Sequence, residues 1–110
     1  MAGQPPTPAV FHLLLALTGG PRHGYALGQE VERLSGGRMR LGAGTLYRSL
    51  QRMRVDGLLA EEGSDTEDER RRVYSLTAAG RRAAAEEAER LRELVRFAVQ
   101  KGLLSPELES

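Results

Sequence analysis

Residues 41–58 of the chain read LGAGTLYRSLQRMRVDGL, and this stretch predicts an amphipathic helix with two faces of opposite chemistry. One face is an apolar stripe at helical spacing, formed by Leu46, Leu50 and Met53. The opposite face carries residue types that hydrogen-bond base edges and phosphates, and these are Gly44, Thr45, Arg48, Gln51 and Arg52. Such a helix packs by one face and is typical of DNA recognition by the other. A solvated arginine face on an ordinary amphipathic helix is the alternative that this pattern alone leaves open.

Charge is clustered along the chain, although its sum is small. The 110 residues have a formal net charge of +1, which by itself does not favour a nucleic-acid partner. From Arg38 to Arg54, however, five arginines occur without an acidic residue, whereas residues 61–69 are mostly acidic and residues 70–72 are all arginine. Because the field near a protein surface follows local clusters, the basic segment favours an anionic partner.

The composition argues against several other classes of protein. A chain of 110 residues, 40% hydrophobic and 28% charged, is typical of one globular domain. It has no cysteine, and His12 and His23 lack neighbouring ligands, so we expect neither a metal nor another cofactor. The apolar run at residues 9–17 is too short to span a bilayer and follows nothing like a signal peptide, which predicts a cytoplasmic protein without membrane contact. The sequence shows neither a nucleophile–base pair nor a phosphate-binding glycine loop, so we do not expect an enzyme.

Helix signals and a change of period divide the chain after a flexible N-terminus at residues 1–7. Thr7 is a natural N-cap for a first helix that begins at Pro8, and Thr77 is one for the last helix. The predicted elements are helices at about 8–17, 24–34 and 43–56, strands at 58–62 and 71–76, and a long helix at about 78–101. We therefore expect a mainly α fold with a small β-hairpin. Its parts are a winged helix-turn-helix DNA-binding domain at residues 8–76, a C-terminal dimerisation helix at 77–102 and a tail at 103–110.

Four segments in register resemble the PadR-like family of winged helix-turn-helix transcriptional regulators. They are GGPRHGY at residues 19–25, GTLYRSL at 44–50, DGLL at 56–59 and RRVYSLTAAG at 71–80. Each segment alone is a weak signal, whereas the set in this order is specific. The chain length resembles the short subgroup, which has one helix after the wing. The resemblance implies a dimeric DNA-binding protein, most often a repressor, which in some members responds to a small phenolic or drug-like ligand.

The sequence departs from the family pattern at two places. Family members often have serine and proline where this chain has Gly42 and Ala43, so the third helix is expected to lack a side-chain N-cap. A glycine cap costs only about a few tenths of a kcal/mol relative to serine. The wing tip at residues 65–69 is DTEDE, whose negative charge would repel phosphates. We therefore do not expect the tip to enter a groove deeply.

Candidate DNA contacts follow from the polar face and from the resemblance. Arg48 and Gln51 are the base-reading candidates, because arginine pairs with guanine and glutamine with adenine, although contact of Arg48 with phosphates alone is an equal alternative. Thr45 at the helix start is expected to contact phosphate. Tyr47 is expected to pack by its ring and to direct its hydroxyl toward a phosphate; a partly buried core tyrosine is the alternative, and the two are compatible. Tyr25 has the same ambiguity, and the resemblance implies a DNA-backbone contact for it.

Two arginines of the returning wing strand are further candidates. Arg70 and Arg72 are two positions apart, so they lie on one side of a strand. We expect them to contact phosphate near the minor groove. Ion pairing with the acidic tip beside them is the alternative.

The last helix carries an apolar stripe for which its own domain has little cover. The candidates for a contact between subunits, two of them from the first helix, are Phe11, Leu14, Ala84, Ala88, Leu91, Leu94, Val95 and Ala98. A symmetric homodimer would bury them and present two recognition helices to a palindromic operator. Packing of the last helix onto the first helix of the same chain is the alternative.

Double-stranded DNA and a second copy of the chain are thus the expected partners. The resemblance adds a small apolar or phenolic effector between the subunits, where Phe11 and Phe97 would supply aromatic surface, although apolar residues at this spacing are usually plain core. The alternative function is a winged-helix protein-interaction module without DNA binding. In that case a protein contact would bury the face of Arg48, Gln51 and Arg52.

Overall fold

The computed structural model describes residues 4–63 and 72–106, and within these ranges helices pack around a small antiparallel sheet. In chain order the elements are α1 (Pro8–Leu17), β1 (Arg22–His23), α2 (Gly24–Leu34), α3 (Ala43–Val55), β2 (Leu59–Glu62), β3 (Val73–Leu76) and α4 (Ala78–Gln100). Strands β2 and β3 form the expected hairpin, with Leu59 opposite Leu76 and Glu62 opposite Val73. Three short helices, a hairpin and a long helix confirm the predicted winged helix-turn-helix fold.

Capping residues explain where α1 and α4 begin and where α3 ends. Thr7 Oγ1 accepts the amide hydrogen of Val10 at 3.2 Å and starts α1. Thr77 Oγ1 accepts the amide of Gly80 at 3.0 Å and donates to the carbonyl oxygen of Gly57 at 2.6 Å. Gly57 itself has φ +80°, the left-handed conformation that ends α3 without a Cβ penalty. The start of α4 is therefore tied to the residue that terminates α3.

A third strand, β1, is not predicted by the sequence. Arg22 pairs with Tyr74 and His23 with Val73, so β3 is the central strand of the sheet. Two residues are too few to show the alternation by which a strand is identified. The Arg22 Nε donates to the carbonyl oxygen of Ala16 at 2.9 Å, which ties β1 to α1. The wing is thereby anchored to the helical body through its central strand.

The core is built around α1. Leu13, Leu14 and Leu17 of this helix are buried together with side chains from the other helices and both hairpin strands, namely Leu27, Val31, Leu46, Leu50, Met53, Leu59, Tyr74 and Ala84. The apolar stripe predicted for α3 is thus the face by which that helix packs. Full burial of one leucine or methionine side chain contributes roughly 1.5–3 kcal/mol, so this face holds α3 firmly.

α4 has one part that packs on its own domain and one that does not. Leu14 is fully buried and Ala84 is 7% exposed within the protomer, so they have little surface to offer to the partner subunit that the sequence analysis expected them to contact. The packing of α4 on α1 within the chain accounts for this part. The remaining candidates are half-buried or exposed, and these are Phe11, Ala88, Leu91, Leu94, Val95 and Ala98.

Candidate nucleic-acid interface

The polar face of α3 is open to solvent. All five of its predicted residues are exposed, namely Gly44, Thr45, Arg48, Gln51 and Arg52. From Gly44 to Arg52 the helix rises roughly 12 Å, about the width of the major groove of B-DNA. Since the opposite side of α3 is buried in the core, the face is both accessible and rigidly mounted.

Weak local contacts orient the arginines of this face. The Arg48 Nη2 donates to Thr45 Oγ1 at 3.5 Å, and a Cβ on Gly44 would lie 3.4 Å from Arg48 Nη1. The glycine therefore leaves room for the guanidinium beside the first turn of α3. The Arg52 Nε lies 3.3 Å from Asp56 Oδ2 in an exposed ion pair. Exposed pairs contribute about 0–1 kcal/mol, so both guanidiniums can exchange these contacts for an anion at little cost.

Tyr25 lies near the start of α2 at the rim of a groove between α2 and α3. The groove has a volume of about 360 Å³, and its lining includes Gln29, Arg40 and Tyr47. Tyr25 is 61% exposed, which leaves its ring and hydroxyl available for the DNA-backbone contact that the resemblance implies.

Tyr47 faces the protein rather than solvent. Its hydroxyl oxygen has less than 1 Å² of accessible surface. A Cβ on Gly24 would lie 2.7 Å from Cε1 of the ring, so the ring rests directly on the backbone of α2. The prediction of an outward hydroxyl that contacts phosphate is therefore wrong, and Tyr47 is a partly buried residue. Because its ring fills the contact between α2 and α3, it sets how closely the two helices approach.

The described part of the wing holds Arg72 in an ion pair. The Arg72 Nη1 donates to Glu61 Oε2 at 2.8 Å. This partner is a residue of β2, and pairing of Arg72 with the acidic tip as well stays a prediction. Arg70 and the tip at residues 65–69 lie outside the described residues, so the expectations for them stay predictions.

Sequence reasoning misses two residues of this surface, Arg54 and Glu61. The Arg54 Nε lies 3.4 Å from Gln51 Oε1 and 3.7 Å from Glu61 Oε1. The sequence does contain a signal that Glu61 faces inward. It lies two residues after the buried Leu59, and residues two apart in a strand point to the same side of the sheet. The pairing with Arg54 depends on how the wing folds against α3, which no local pattern specifies.

Membrane-spanning and metal-binding features are not found in the described ranges, 4–63 and 72–106. None of the helices there combines the length and apolar character needed to cross a membrane. No group of three or more histidine, aspartate or glutamate side chains in these ranges is arranged to hold a metal ion.

Known proteins share both the sequence and the fold. Residues 13–86 match the family described as the transcriptional regulator PadR-like family. The chain is 40% identical over 85 residues to the transcriptional regulator Rv3488 of Mycobacterium tuberculosis, and the match covers 77% of each protein.

Solved structures agree with these matches. A PadR family transcription regulator from hypervirulent Clostridium difficile has a TM-score of 0.70 at 20% identity, covering 86% of this chain and 97% of that one, and it shows the fold alone. A PadR-like transcription factor from Bacteroides fragilis has a TM-score of 0.67 at 27% identity, covering 83% and 86%. The family match across residues 13–86 and the 40% identity to a regulator show that the chain belongs to the PadR-like family of transcriptional regulators.

Proposed function

We propose that the protein is a sequence-specific DNA-binding regulator, a dimeric repressor of the PadR type that binds a palindromic operator. The observation that carries this proposal is the exposed face of α3, which holds two arginines, a glutamine and a threonine above a fully buried apolar stripe. In the complex α3 would lie in the major groove. The contacts would come from Tyr25, Gly44, Thr45, Arg48, Gln51, Arg52, Arg70 and Arg72.

Within this set the roles differ by position. Arg48 and Gln51 reach from the middle of the face and are assigned to bases. Thr45 lies in the first turn of α3, where the helix dipole favours an anion, and is assigned to a phosphate. Because the Tyr47 hydroxyl is buried, Tyr47 acts indirectly, by holding α3 against α2.

The apolar C-terminal half of α4 supports a homodimer. Leu94 is 51% exposed and Phe97 is 47% exposed, and Leu91, Val95 and Ala98 beside them are half-buried. A symmetric pairing of this surface would bury it and would present two copies of α3 to half-sites about one DNA turn apart. A small apolar or phenolic effector that binds beside Phe11 and Phe97 would relieve repression by changing this pairing.

The proposal is tested by selecting bound sequences from a random duplex pool with the purified protein. We expect enrichment of a palindrome whose half-sites are about 10 bp apart, and a steep loss of affinity with salt from counterion release. Equal affinity for the enriched duplex and a scrambled one at the same salt would contradict the proposal. The alternative of a winged-helix protein-interaction module would then take its place.

A further inference from the structure

A polar cleft of about 390 Å³ lies between the end of α3 and the base of the wing. It is lined by Gln51, Arg54, Glu61, Gly63 and Arg72. These residues come from α3, from β2 and the turn after it, and from the residue before β3. The cleft therefore forms only when the wing is folded against the recognition helix.

Glu61 organises the charges of this cleft. Its side chain is only 15% exposed, and it lies 2.8 Å from Arg72 Nη1 and 3.7 Å from Arg54 Nε. An exposed carboxylate beside a DNA-binding face would repel phosphates. A carboxylate enclosed by two guanidiniums instead orients both of them and leaves a local charge of +1.

Both arginines keep hydrogen-bond donors beyond their contacts with Glu61. A guanidinium has five N–H donors. The Arg72 Nε–H is enclosed and has no acceptor among the described residues, so a phosphate would be held by other N–H groups of this side chain, which is 20% exposed. The Arg54 side chain is 45% exposed, so its head can be reached from outside. A Cβ on Gly63 would lie 3.1 Å from Arg72 Cγ, and the glycine thus lets the arginine stem run back toward Glu61.

We propose that this cleft binds one backbone phosphate of duplex DNA, with Arg54 and Arg72 as donors and Glu61 as their positioning residue. The inference rests on the proposed function and adds two residues to it. One phosphodiester would neutralise the local charge of +1, and guanidiniums match its geometry in two-pronged contacts. Because the cleft joins α3 to the wing, the bound phosphate would fix the orientation of α3 in the major groove. It would carry no base information.

The experiment compares Arg54→Gln and Arg72→Gln with the wild type on the selected duplex and on a scrambled duplex across a salt series. Each variant removes the contact from both clefts of the proposed dimer. Binding to both duplexes is therefore expected to weaken about 100-fold, or tenfold per cleft, with the slope of log affinity against log salt reduced by about 1.8. The matched control is Arg33→Gln, which also removes an ion-paired arginine, since Arg33 Nη2 donates to Glu30 Oε2 at 2.6 Å on α2. It should leave affinity and slope unchanged.

Folding is checked first by thermal denaturation. Arg72 is mostly enclosed, whereas Arg54 is half-exposed, so Arg54→Gln keeps the test valid if Arg72→Gln fails to fold. Wild-type affinity and slope in a folded Arg54→Gln variant would overturn the inference. If instead the wild type itself does not prefer its selected duplex, it is the proposed function that fails.

Glu61→Gln tests the positioning role separately. The change removes a negative charge, so simple repulsion predicts tighter binding, whereas loss of orientation predicts weaker binding to both duplexes. We expect the weaker binding, and we expect it to vanish in a variant that already lacks both arginines. Tighter binding by Glu61→Gln would overturn the positioning role. Binding of inorganic phosphate that Arg54→Gln abolishes, with duplex affinity unaffected, would make the cleft a free-phosphate site and overturn the assignment to DNA.

Discussion

Truncation of two side chains at the end of α4 should dissociate the proposed dimer. In the protomer Leu94 and Phe97 are about half-exposed, at 51% and 47%. Full burial of such a side chain contributes roughly 1.5–3 kcal/mol, so the burial of the exposed half contributes roughly half of that. Two residues on each of two subunits then contribute roughly 3–6 kcal/mol to association.

The double variant Leu94→Ala/Phe97→Ala should therefore raise the dimer dissociation constant roughly 100- to 10,000-fold. Sedimentation equilibrium over a range of protein concentrations measures this constant directly. The fold should survive, because neither side chain belongs to the buried core. A monomer carries a single recognition helix and should lose most of its operator affinity.

The control is Val55→Ala, which truncates an exposed apolar residue, 68% exposed, at the end of α3. It should leave the dissociation constant unchanged. A double variant that associates as tightly as the wild type would refute the reasoning, because Leu94 and Phe97 would then lie outside the contact. A wild-type protein that stays monomeric at high concentration would refute the dimer itself.

Three further predictions concern recognition, packing and pH. Arg48→Ala and Gln51→Ala should each relax sequence preference at about one base position and weaken binding to the preferred site by about 1–3 kcal/mol. Binding to duplexes with single base substitutions measures this preference. An unchanged preference would assign that residue to a phosphate contact. Gly24→Ala should lower the free energy of unfolding by about 1–3 kcal/mol, because the new Cβ would press on the Tyr47 ring. Urea denaturation measures this change. Wild-type stability of the variant would show that the ring moves freely. A hydrogen bond from Arg90 lowers the pKa of the Glu87 carboxyl below its ordinary value of 4.5. The ionised carboxylate therefore stabilises the folded protein above pH 4.5, and this contribution is lost as the pH falls through the lowered pKa. Glu87→Gln should therefore flatten the loss of stability in acid, and an identical pH profile would contradict this assignment.

Much of the fold follows from local patterns. The threonine caps, the helical spacing on α3 and the glycine after it each act within a few residues, so the sequence alone places these helices correctly. Strand β1 escapes prediction because its two residues become a strand only by pairing with β3. No pattern within Arg22–His23 contains that information.

The candidate site likewise contains residues whose placement a local pattern predicts and residues whose placement depends on the folded structure. Helical spacing separates the exposed Arg48 and Gln51 from the buried stripe, because the period of a helix is local. The position of Tyr47 is not local: its hydroxyl is buried because α2 approaches closely at a glycine. The contacts of Arg54 with Glu61 likewise need the folded wing. Leu14 of α1 and Ala84 of α4 show the same limit, since an apolar stripe does not say which part of it the protomer itself will cover.

The junction between α3 and α4 connects the two proposed interfaces. Thr77 caps α4 while its hydroxyl donates to Gly57 at 2.6 Å, and its amide donates to the carbonyl oxygen of Leu58 at 3.2 Å. A Cβ on Gly80 would overlap that same Leu58 carbonyl, so the first turn of α4 is pressed against the chain that leaves α3. The direction in which α4 leaves the domain is therefore fixed relative to α3. If two copies pair through the far end of α4, the angle of that pairing sets the spacing of the two recognition helices. A ligand that tilts one α4 against the other would change this spacing without touching the DNA-binding face.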